Sequence, residues 1–490
     1  MEMTSFRFII LATVSVFIFY LISKRYRIGY LAFLSCGFIA TYNCNLLVYV
    51  IFYSLVNYIL GRLISDSRNK SILFRTGIIF NLTQLIVLNY ASFAIDPLFR
   101  ILNSNFELSK LSHIIITVGL SYFTLQGIGY LINIKMGWEK PERNFLHFLL
   151  YITFYPKYLS GPIERSNHFL PQLKNASSFH SHNVSDGFRL ALLGLVKKVV
   201  IANQLSLIVI PAYDSISAST GGIPLIVILL QPLYLYFDFS GYTDIAMGIA
   251  KAYGIRLLPN FDRPFFAENV TTFWKRFHMS LALWFNDYVF KQSSFRLRNW
   301  RTLAPIIAVF ITWLLFGIWH GAGWNFMVLG LLQALAISFE FFTKARRKIL
   351  FSKISSSLGK WMGRLVTYMF YGLSLVFFFS PDLNTSLLFF KKLKSINICL
   401  PVICRPIAKD VLVDNYVDIV SYIFAFGIMV IFLIIELVSC DRKDKFEKVL
   451  LLWNSDKSSS QVIRFVVYYI GILFIFYFGG NQTEFIYFQF

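Results

Sequence analysis

Charged side chains and cysteines are scarce in this chain. Of its 490 residues 14% are charged, whereas 57% are hydrophobic and 18% are aromatic. A soluble globular protein of this length needs more polar side chains to cover its surface, so the composition excludes that class. The five cysteines are odd in number and scattered, which predicts neither a disulfide framework nor a metal site. The chain has no Gly-rich phosphate loop ending in GK[ST], which argues against an ATP-driven pump.

Long apolar runs take the place of the missing polar residues. Their lengths suit helices that cross a hydrocarbon layer of roughly 30 Å, so we predict an all-α polytopic membrane protein whose residues 1–490 form one integral-membrane domain. The predicted spans are Phe6–Ile22, Leu46–Ile64, Phe74–Phe93, Ile114–Ile134, Gly187–Ile210, Pro224–Ala246, Leu303–Trp319, Phe326–Phe342, Leu365–Phe379, Val417–Val438 and Val462–Phe478. Two shorter runs are predicted to be hairpin or re-entrant pieces, Tyr30–Ala40 and Phe145–Leu159.

The formal net charge of +21 is concentrated in short loops, at 24–27, 62–75, 135–143, 251–301, 344–364 and 442–457. Pro211–Ile223 contains no Lys or Arg. The positive-inside rule makes the basic loops cytoplasmic and predicts that both termini are extracytoplasmic, so the charge does not indicate nucleic acid. Lys391, Lys392 and Lys394 then fall on the outer side, where a surface helix would accommodate them. The first apolar run lacks a small-residue cleavage site and is predicted to be a retained helix.

The stretch 158–165, YLSGPIER, is the first concentration of polar residues among the apolar runs. Its Gly161-Pro162 pair stops any helix. Glu164 and Arg165 could therefore pair at the cytoplasmic surface. The alternative is a plain connector at the membrane interface.

Two carboxylates lie inside a predicted span, in the stretch 236–244, YFDFSGYTD. Asp238 and Asp244 must face protein or water, because an ionised carboxylate in hydrocarbon costs several kcal/mol. Six-residue spacing places them on different sides of a straight helix, which argues against a paired acid/base dyad. The favoured interpretation is a packing network in which Asp238 bonds Ser or Tyr hydroxyls.

The segment Phe273–Tyr288 has the periodicity of one amphipathic helix at a membrane boundary. Its apolar face contains Phe273, Trp274, Phe277, Leu281, Trp284 and Tyr288, and its polar face contains Lys275, Arg276, Asn286 and Asp287. His278 lies on the shoulder between these faces, where its ring can point into a cavity. A purely structural histidine is the alternative.

The stretch 316–325, FGIWHGAGWN, contains one ionisable side chain, His320. In an apolar segment that ring needs a hydrogen-bond partner or a water-filled cavity. Glycines at 317, 321 and 323 allow sharp turns and close approach of a ligand. This composition predicts a broken helix that lines a site. The alternative is a ring bonded to a backbone carbonyl for packing.

In chain order these stretches resemble the membrane-bound O-acyltransferases. The motifs are Ser160-Gly-Pro, Phe237-Asp-Phe-Ser-Gly-Tyr242, Phe273-Trp-x-Arg-Phe-His278-x-Ser-Leu-x-x-Trp284-x-x-Asp287-Tyr288 and Leu315-Phe-Gly-Ile-Trp-His320-Gly-Ala-Gly-Trp-Asn325. The chain is most similar to the bacterial branch that acetylates alginate or peptidoglycan or transfers D-alanine to teichoic acid. The resemblance runs from about Val118 to Glu484–Phe490, with a family core at 118–345 and C-terminal helices at 346–490. A Leu-Gly-Gly turn of the family is absent after Tyr288, so the adjoining donor-side loop is expected to differ.

The resemblance implies a ring of tilted transmembrane and re-entrant helices around a central tunnel. It implies that His320 is the catalytic residue and that His278 is the second essential one. Near neutral pH, His320 could take the proton of an acceptor hydroxyl, while His278 would orient the acyl group or donate to the oxyanion. Further candidates for the substrate site or tunnel are Trp274, Arg276, Ser280, Trp284, Asp287, Trp319, Asn325, Ser240 and Asp238.

The resemblance also implies a reaction, in which an acyl group, with acetyl favoured, passes from a cytoplasmic thioester towards an extracytoplasmic polysaccharide. The thioester, acetyl-coenzyme A or a carrier-protein thioester, is expected as a co-substrate, with no bound cofactor. An anionic donor would be attracted by Lys275, Arg276, Arg296, Arg298 and Arg301.

The implied location is the bacterial cytoplasmic membrane, where the bilayer surrounds the chain. The acyl group could pass directly to the polymer or to a periplasmic or secreted SGNH-type acetyltransferase. Three alternatives stay open: an acyl-group transporter without transferase chemistry, D-alanyl transfer to teichoic acid, and a membrane scaffold.

Overall fold

The computed structural model describes residues 2–90, 119–159, 161–174, 179–217, 222–352, 355–394, 416–453, 455 and 457–479. Ser160, Cys399, Cys404 and the segment 484–490 lie outside the described residues. Within the described ranges the regular structure is helical, which confirms the all-α prediction. The helices are α1 (Phe6–Leu21), α2 (Arg27–Ala40), α3 (Cys44–Asp66), α4 (Lys70–Asn89), α5 (Leu120–Lys135), α6 (Phe145–Thr153), α7 (Tyr155–Tyr158), α8 (Ser166–Lys174), α9 (Ser181–Leu195), α10 (Asn203–Asp214), α11 (Ile223–Ala252), α12 (Val270–Trp274), α13 (Met279–Phe285), α14 (Lys291–Arg296), α15 (Leu303–His320), α16 (Trp324–Ser352), α17 (Ser356–Phe379), α18 (Leu383–Lys394), α19 (Tyr416–Asp441), α20 (Lys443–Trp453) and α21 (Ser458–Phe478).

Nine helical segments in the described part of the chain are long and apolar enough to cross a membrane. They are Cys44–Asp66, Lys70–Leu88, Ser181–Asp214, Ile223–Ala252, Leu303–His320, Trp324–Ile349, Ser356–Phe379, Ser421–Asp441 and Ser458–Phe478. Each corresponds to one predicted span, and the protein is therefore a multi-pass membrane protein. The segment Ser181–Asp214 contains α9, a π-helical segment at Val196–Ala202, and α10.

Two predicted spans are shorter than expected in the described residues. The first apolar run forms α1, whose 16 residues extend about 24 Å, less than the hydrocarbon thickness. The run Ile114–Ile134 is described from Gly119 onwards, and there it forms the 16-residue α5. Thirteen of those 16 side chains are buried inside the protein, so α5 is an interior helix rather than a lipid-facing one.

The shorter apolar runs form short helices that contact each other. The run Phe145–Leu159 is interrupted at Phe154, which separates α6 from α7. The backbone N–H of Tyr155 at the start of α7 donates to Ser35 Oγ of α2 at 3.1 Å. The lysines at 391, 392 and 394 lie in the last turn of α18, so the helix predicted for them is present.

Helices α9 and α11 approach so closely that only glycine fits at four positions. A Cβ added to Gly187 would lie 2.5 Å from the carbonyl oxygen of Gly248, and one added to Gly194 would lie 2.5 Å from that of Gly241. Seven residues separate the glycines on each helix, so both pairs lie on the same face of the two antiparallel helices. Small residues let membrane helices approach closely, and this contact fixes the position of α11.

We predict that Gly248→Ala destabilises the protein by about 1–3 kcal/mol, because the new methyl group would lie 2.4 Å from the carbonyl oxygen of Gly187. Thermal unfolding of purified protein in detergent measures this loss. Gly427→Ala in α19 is the matched control, because no atom lies within 4 Å of the added Cβ. Its stability should stay equal or rise, since alanine is the better helix former. Equal melting temperatures for the two variants would contradict the close α9–α11 contact.

Candidate active site

A tight helical hairpin presents His320. Helix α15 ends at His320, the backbone is extended at Gly321, and α16 begins at Trp324. The hairpin is tight because a Cβ on Gly317 would lie 2.3 Å from the carbonyl oxygen of Phe326, and only glycine avoids that overlap. The helix break predicted from the glycines is therefore present, and His320 lies at its edge.

The ring of His320 is held by its own helix and by aromatic neighbours. Its Nδ1 lies 2.8 Å from the carbonyl oxygen of Phe316. Because a carbonyl oxygen only accepts, Nδ1 carries the proton and the lone pair of the neutral ring is on Nε2. The ring centroid lies 4.5 Å from Phe316, 4.9 Å from Trp319 and 5.8 Å from Phe378. The alternative of a ring bonded to a backbone carbonyl for packing predicts this hydrogen bond. The same bond also leaves Nε2 unprotonated, as a general base requires.

The prediction of one amphipathic helix over Phe273–Tyr288 is wrong. Helix α12 ends at Trp274 and α13 begins at Met279. His278, between them, adopts a left-handed backbone conformation with φ 48° and ψ 50°, which is uncommon outside glycine. The ring of His278 is consequently aimed by a turn rather than by a continuous helical face.

A second stretch of backbone holds the chain in this turn. The N–H of Asp262 donates to the carbonyl of Arg276 at 2.9 Å. The N–H of Met279 donates to the carbonyl of Asn260, also at 2.9 Å. These bonds use backbone groups that a continuous helix would bond internally, and every buried backbone group needs one partner. Pairing between the two segments therefore replaces the helix at His278.

Asn260 also binds the His278 ring through its side chain. Its Oδ1 lies 3.1 Å from His278 Nδ1 and accepts from the backbone N–H of Ser280 at 3.1 Å. The Phe239 ring lies edge-on to the imidazole, with centroids 4.6 Å apart. The His278 residue is 1% exposed.

The ring of Trp319 contacts both histidines. The centroid of its ring is 6.2 Å from that of His278 and 4.9 Å from that of His320. Two motifs that are far apart in sequence therefore meet in one buried, aromatic-walled site. The continuous tunnel from both membrane faces, which the resemblance implies, stays a prediction.

The hairpin that carries His320 also anchors the segment before His278. On α16, Gln333 Oε1 accepts from the indole N–H of Trp274 at 3.0 Å. Two turns further along α16, Glu340 accepts from the backbone N–H groups of Val270 and Thr271, at 2.6 and 3.0 Å. A carboxylate at these N–H groups caps the short helix α12. Both histidine-bearing segments are therefore fixed to α16.

The carboxylates of α11 are paired with lysines, which was not predicted from the sequence, and the network of Asp238 with hydroxyls stays a prediction. Asp238 Oδ1 accepts from Lys198 Nζ at 2.5 Å, with both side chains fully buried. Asp244 Oδ2 accepts from Lys197 Nζ at 2.7 Å. The two carboxylates have separate partners, so they form no dyad, as their spacing predicts. Both lysines belong to the π-helical segment that follows α9.

Several candidate residues from the sequence hold the site rather than line it. Ser280 Oγ donates to Asn260 Oδ1 at 2.9 Å and accepts from the N–H of Ile163 at 3.0 Å. The indole N–H of Trp284 donates to the carbonyl of Leu125 at 2.9 Å. These contacts fix α13 against the segment 161–163 and against α5.

Three further candidates lie at the edges of this region. Asn325 Nδ2 donates to two carbonyls at the end of α17, at 3.0 and 2.9 Å, and so fixes the start of α16. Arg276 is half-buried, and its Nη1 lies 3.9 Å from Cys440 Sγ. Asp287, 34% exposed at its side chain, forms ion pairs with Arg165 at 3.2 Å and Lys291 at 2.8 Å.

The predicted pairing of Glu164 with Arg165 is wrong. Glu164 is fully buried and accepts from His168 at 2.8 Å and from the backbone N–H of Leu258 at 2.5 Å. Arg165 instead reaches Asp287. Neighbouring residues in an extended segment point in different directions, which is why the two side chains separate.

A cavity of about 380 Å³ approaches the His278 side of the site. Its lining includes the hydroxyl-bearing residues Ser240 and Thr243 and the ring-binding Asn260, together with Lys197 and Asp244. The hydroxyl oxygens at 240 and 243 are buried and have no hydrogen-bond partner within the described residues. Ser240 therefore lies at the wall of a cavity, and its contact with a substrate stays a prediction.

Comparison with known proteins finds one family. Residues 142–380 match the model of the membrane-bound O-acyltransferase family. Over this range the chain is similar to the membrane-bound O-acyltransferases. The match contains both histidines and the hairpin and turn that present them.

Similar members of this family act on cell-envelope polymers, according to their names. The chain is 29% identical to the probable alginate O-acetylase AlgI of Pseudomonas aeruginosa over 331 residues, which are 66% of this chain and 62% of that protein. It is 28% identical to the peptidoglycan O-acetyltransferase of Helicobacter pylori over 447 residues, 84% of this chain and 81% of the relative. It is 30% identical to the teichoic acid D-alanyltransferase of Bacillus subtilis over 239 residues, 47% and 60% of the two chains. The chain thus matches less than two thirds of the length of AlgI.

Five residues in and around this acyltransferase site are missed by sequence reasoning. Lys197 and Lys198 could have been found, since two cations in a predicted span next to a span with two carboxylates must find partners. Gln333 and Glu340 are isolated polar residues seven apart in an apolar helix, which predicts one shared face. Asn260 carries no such signal, because its role depends on a pairing between segments that periodicity does not reveal.

We predict that Lys198→Met destabilises the protein by about 3–5 kcal/mol, because Asp238 would remain buried without its cation. The double variant Lys198→Met/Asp238→Leu should regain most of that loss. Thermal unfolding in detergent measures both. Lys251→Met is the matched control, since its pair with Asp186 is partly exposed at 32% and 24%, and a pair of that kind contributes little. A single variant as stable as the control would argue against a buried ion pair.

Proposed function

We propose that this protein is a membrane O-acyltransferase that moves an acetyl group from a cytoplasmic thioester towards hydroxyls of an extracytoplasmic polysaccharide. The observation that carries the proposal is that His278 and His320 both contact the ring of Trp319. The match to the family model supports the class of reaction, and the names of the relatives support acetyl transfer.

His320 is the general base in this mechanism. Its protonated Nδ1 leaves the Nε2 lone pair for the proton of the acceptor hydroxyl. The hydroxyl oxygen attacks the thioester carbonyl, a C–O bond forms, and the C–S bond breaks. The departing thiolate takes the proton from the His320 imidazolium, which returns the ring to its neutral form. His278, which also contacts Trp319, orients the reacting groups.

The donor is proposed to be acetyl-coenzyme A or a carrier-protein thioester, used as a co-substrate. The cavity of about 380 Å³ supports access from the side of loop 251–301, which is basic and predicted to be cytoplasmic. Cations at 275, 276, 296, 298 and 301 would attract the anionic donor. The aromatic walls around both histidines favour a two-carbon group over a long chain.

The acceptor is proposed to be a cell-envelope polysaccharide, reached directly or through a periplasmic or secreted SGNH-type acetyltransferase. The names of relatives that act on alginate and peptidoglycan support this class, and the teichoic acid D-alanyltransferases supply the alternative of D-alanyl transfer. The protein would lie in the bacterial cytoplasmic membrane with both termini outside. An SGNH-type gene beside its own would support polysaccharide acetylation, whereas a D-alanine carrier ligase gene would support the alternative.

We predict that His320→Ala lowers kcat by about 10²–10⁴-fold, the usual contribution of general acid–base catalysis, in a protein that still folds. His278→Ala should also lower turnover strongly. Release of coenzyme A thiol and ester formation measure both effects. His182→Ala is the control, because that ring is 83% exposed on α9 and should not affect the rate. Near-normal ester formation by folded His320→Ala would remove His320 from the mechanism.

A second experiment distinguishes transfer from transport. Purified protein in vesicles receives acetyl-coenzyme A on one side and oligomannuronate, peptidoglycan fragments or lipoteichoic acid on the other. We expect acetyl ester on a carbohydrate and matching loss of thioester, with little competition from palmitoyl-coenzyme A. Acetyl that crosses the bilayer without any ester would support the transporter, and D-alanyl ester formed only from a D-alanyl carrier would support the teichoic acid alternative.

A further inference from the structure

Asn260 makes four hydrogen bonds to the segment that carries His278. Its carbonyl accepts from the N–H of Met279 at 2.9 Å. Its side-chain Oδ1 accepts from the N–H and the Oγ of Ser280, at 3.1 and 2.9 Å, and lies 3.1 Å from His278 Nδ1. Asn260 is 1% exposed, so no bulk water competes for these bonds.

The backbone N–H of Ser280 identifies the side-chain atom of Asn260 that faces His278. A backbone amide nitrogen only donates, so the atom that it contacts is the oxygen of Asn260 and not the amide nitrogen. An amide oxygen only accepts. His278 Nδ1, bonded to the same oxygen, must therefore carry a proton.

We infer that Asn260 is a positioning residue, which keeps the proton of neutral His278 on Nδ1 and thereby makes Nε2 a hydrogen-bond acceptor for a substrate N–H or O–H group. This inference rests on the proposed acyl transfer. It also corrects one expected role, because a neutral ring with its proton on Nδ1 has none on Nε2 to give to an oxyanion. The proton of the reacting hydroxyl goes to His320, so His278 acts in this state by accepting from an amide N–H of the donor or from a second hydroxyl of the acceptor.

His320 has its ring proton on the same nitrogen, Nδ1, as His278. The Phe316 carbonyl holds the His320 proton on Nδ1 just as Asn260 holds that of His278. Both imidazoles, each in contact with Trp319, therefore keep their lone pairs on Nε2. Fixing a ring through its second nitrogen is a general way to set the tautomer of a functional histidine.

Asp is the conservative replacement at position 260. The amide nitrogen of Asn260 makes no hydrogen bond within the described residues, so changing it to oxygen removes no contact. Asn260→Asp keeps an acceptor for Ser280 and His278. Asn260→Leu has a similar volume and removes the acceptor. Comparing these two variants therefore shows whether the hydrogen bonds of Asn260 matter or only the space that its side chain fills.

The first test is independent of activity. ¹⁵N NMR of histidine-labelled protein, with the His278 signals identified by comparison with His278→Gln, reports which ring nitrogen carries the proton. We expect protonated Nδ1 and unprotonated Nε2 in the wild type and in Asn260→Asp, and a loss of that preference in Asn260→Leu. A wild-type ring with its proton on Nε2 overturns the inference, whether or not any variant folds.

The second test uses acetyl-coenzyme A with oligomannuronate, peptidoglycan fragments or lipoteichoic acid. Asn260→Leu should lower kcat at least about tenfold with little change in KM for the donor, and Asn260→Asp should restore most of it. Asn57→Leu is the matched control: this fully buried asparagine of α3 bonds Tyr53 and Asn81, so its loss should lower the yield of folded protein but not kcat. Unchanged kcat in Asn260→Leu overturns the inference.

The two tests separate the possible failures. A wild-type protein that transfers acetyl to none of the acceptors contradicts the proposed function, while the NMR signals still decide the role of Asn260. An active wild type with no preference for Nδ1 contradicts the role of Asn260 and leaves the proposed function standing.

Discussion

The backbone pairing of 260–262 with 276–279 is the contact on which the site depends. It consumes N–H and C=O groups that would otherwise extend a helix, and it forces His278 into a left-handed conformation. That conformation is unfavourable for a side chain with a Cβ, so it persists because the surrounding bonds determine it. Helix α16 fixes the same segment through Gln333 and Glu340, and the site is consequently built from two hairpins that support each other.

The membrane environment explains why the polar groups of the interior are paired. Asp238 and Lys198 are both fully buried, and each would be costly without the other. The buried Lys157 also has partners, although these are neutral: its Nζ donates to the side-chain oxygen of Gln126 and to the carbonyl of Tyr151. These bonds restrict how the helices pack, so they select one arrangement of the apolar segments, which by themselves could pack in several ways.

Proton placement links this architecture to chemistry. Each histidine donates a hydrogen bond from its protonated Nδ1 to a fixed acceptor of the fold. For His278 the acceptor is the side-chain oxygen of Asn260, and for His320 it is the carbonyl oxygen of Phe316. The nitrogen that remains basic is then chosen by the fold. A buried, aromatic-walled site keeps water from competing for that nitrogen, so in the proposed reaction the hydroxyl of the bound acceptor supplies the proton.

Sequence alone determined the class of fold and the motifs of the site. Spans followed from the length of the apolar runs, and the break at His320 followed from its glycines, because both signals are local. Tertiary structure decided the rest: the turn at His278, the lysine partners of Asp238 and Asp244, the separation of Glu164 from Arg165, and the role of Asn260. Each of these depends on a contact between segments distant in sequence. A helical period describes one segment at a time, whereas a buried polar group takes whichever partner the packed helices bring within hydrogen-bonding distance.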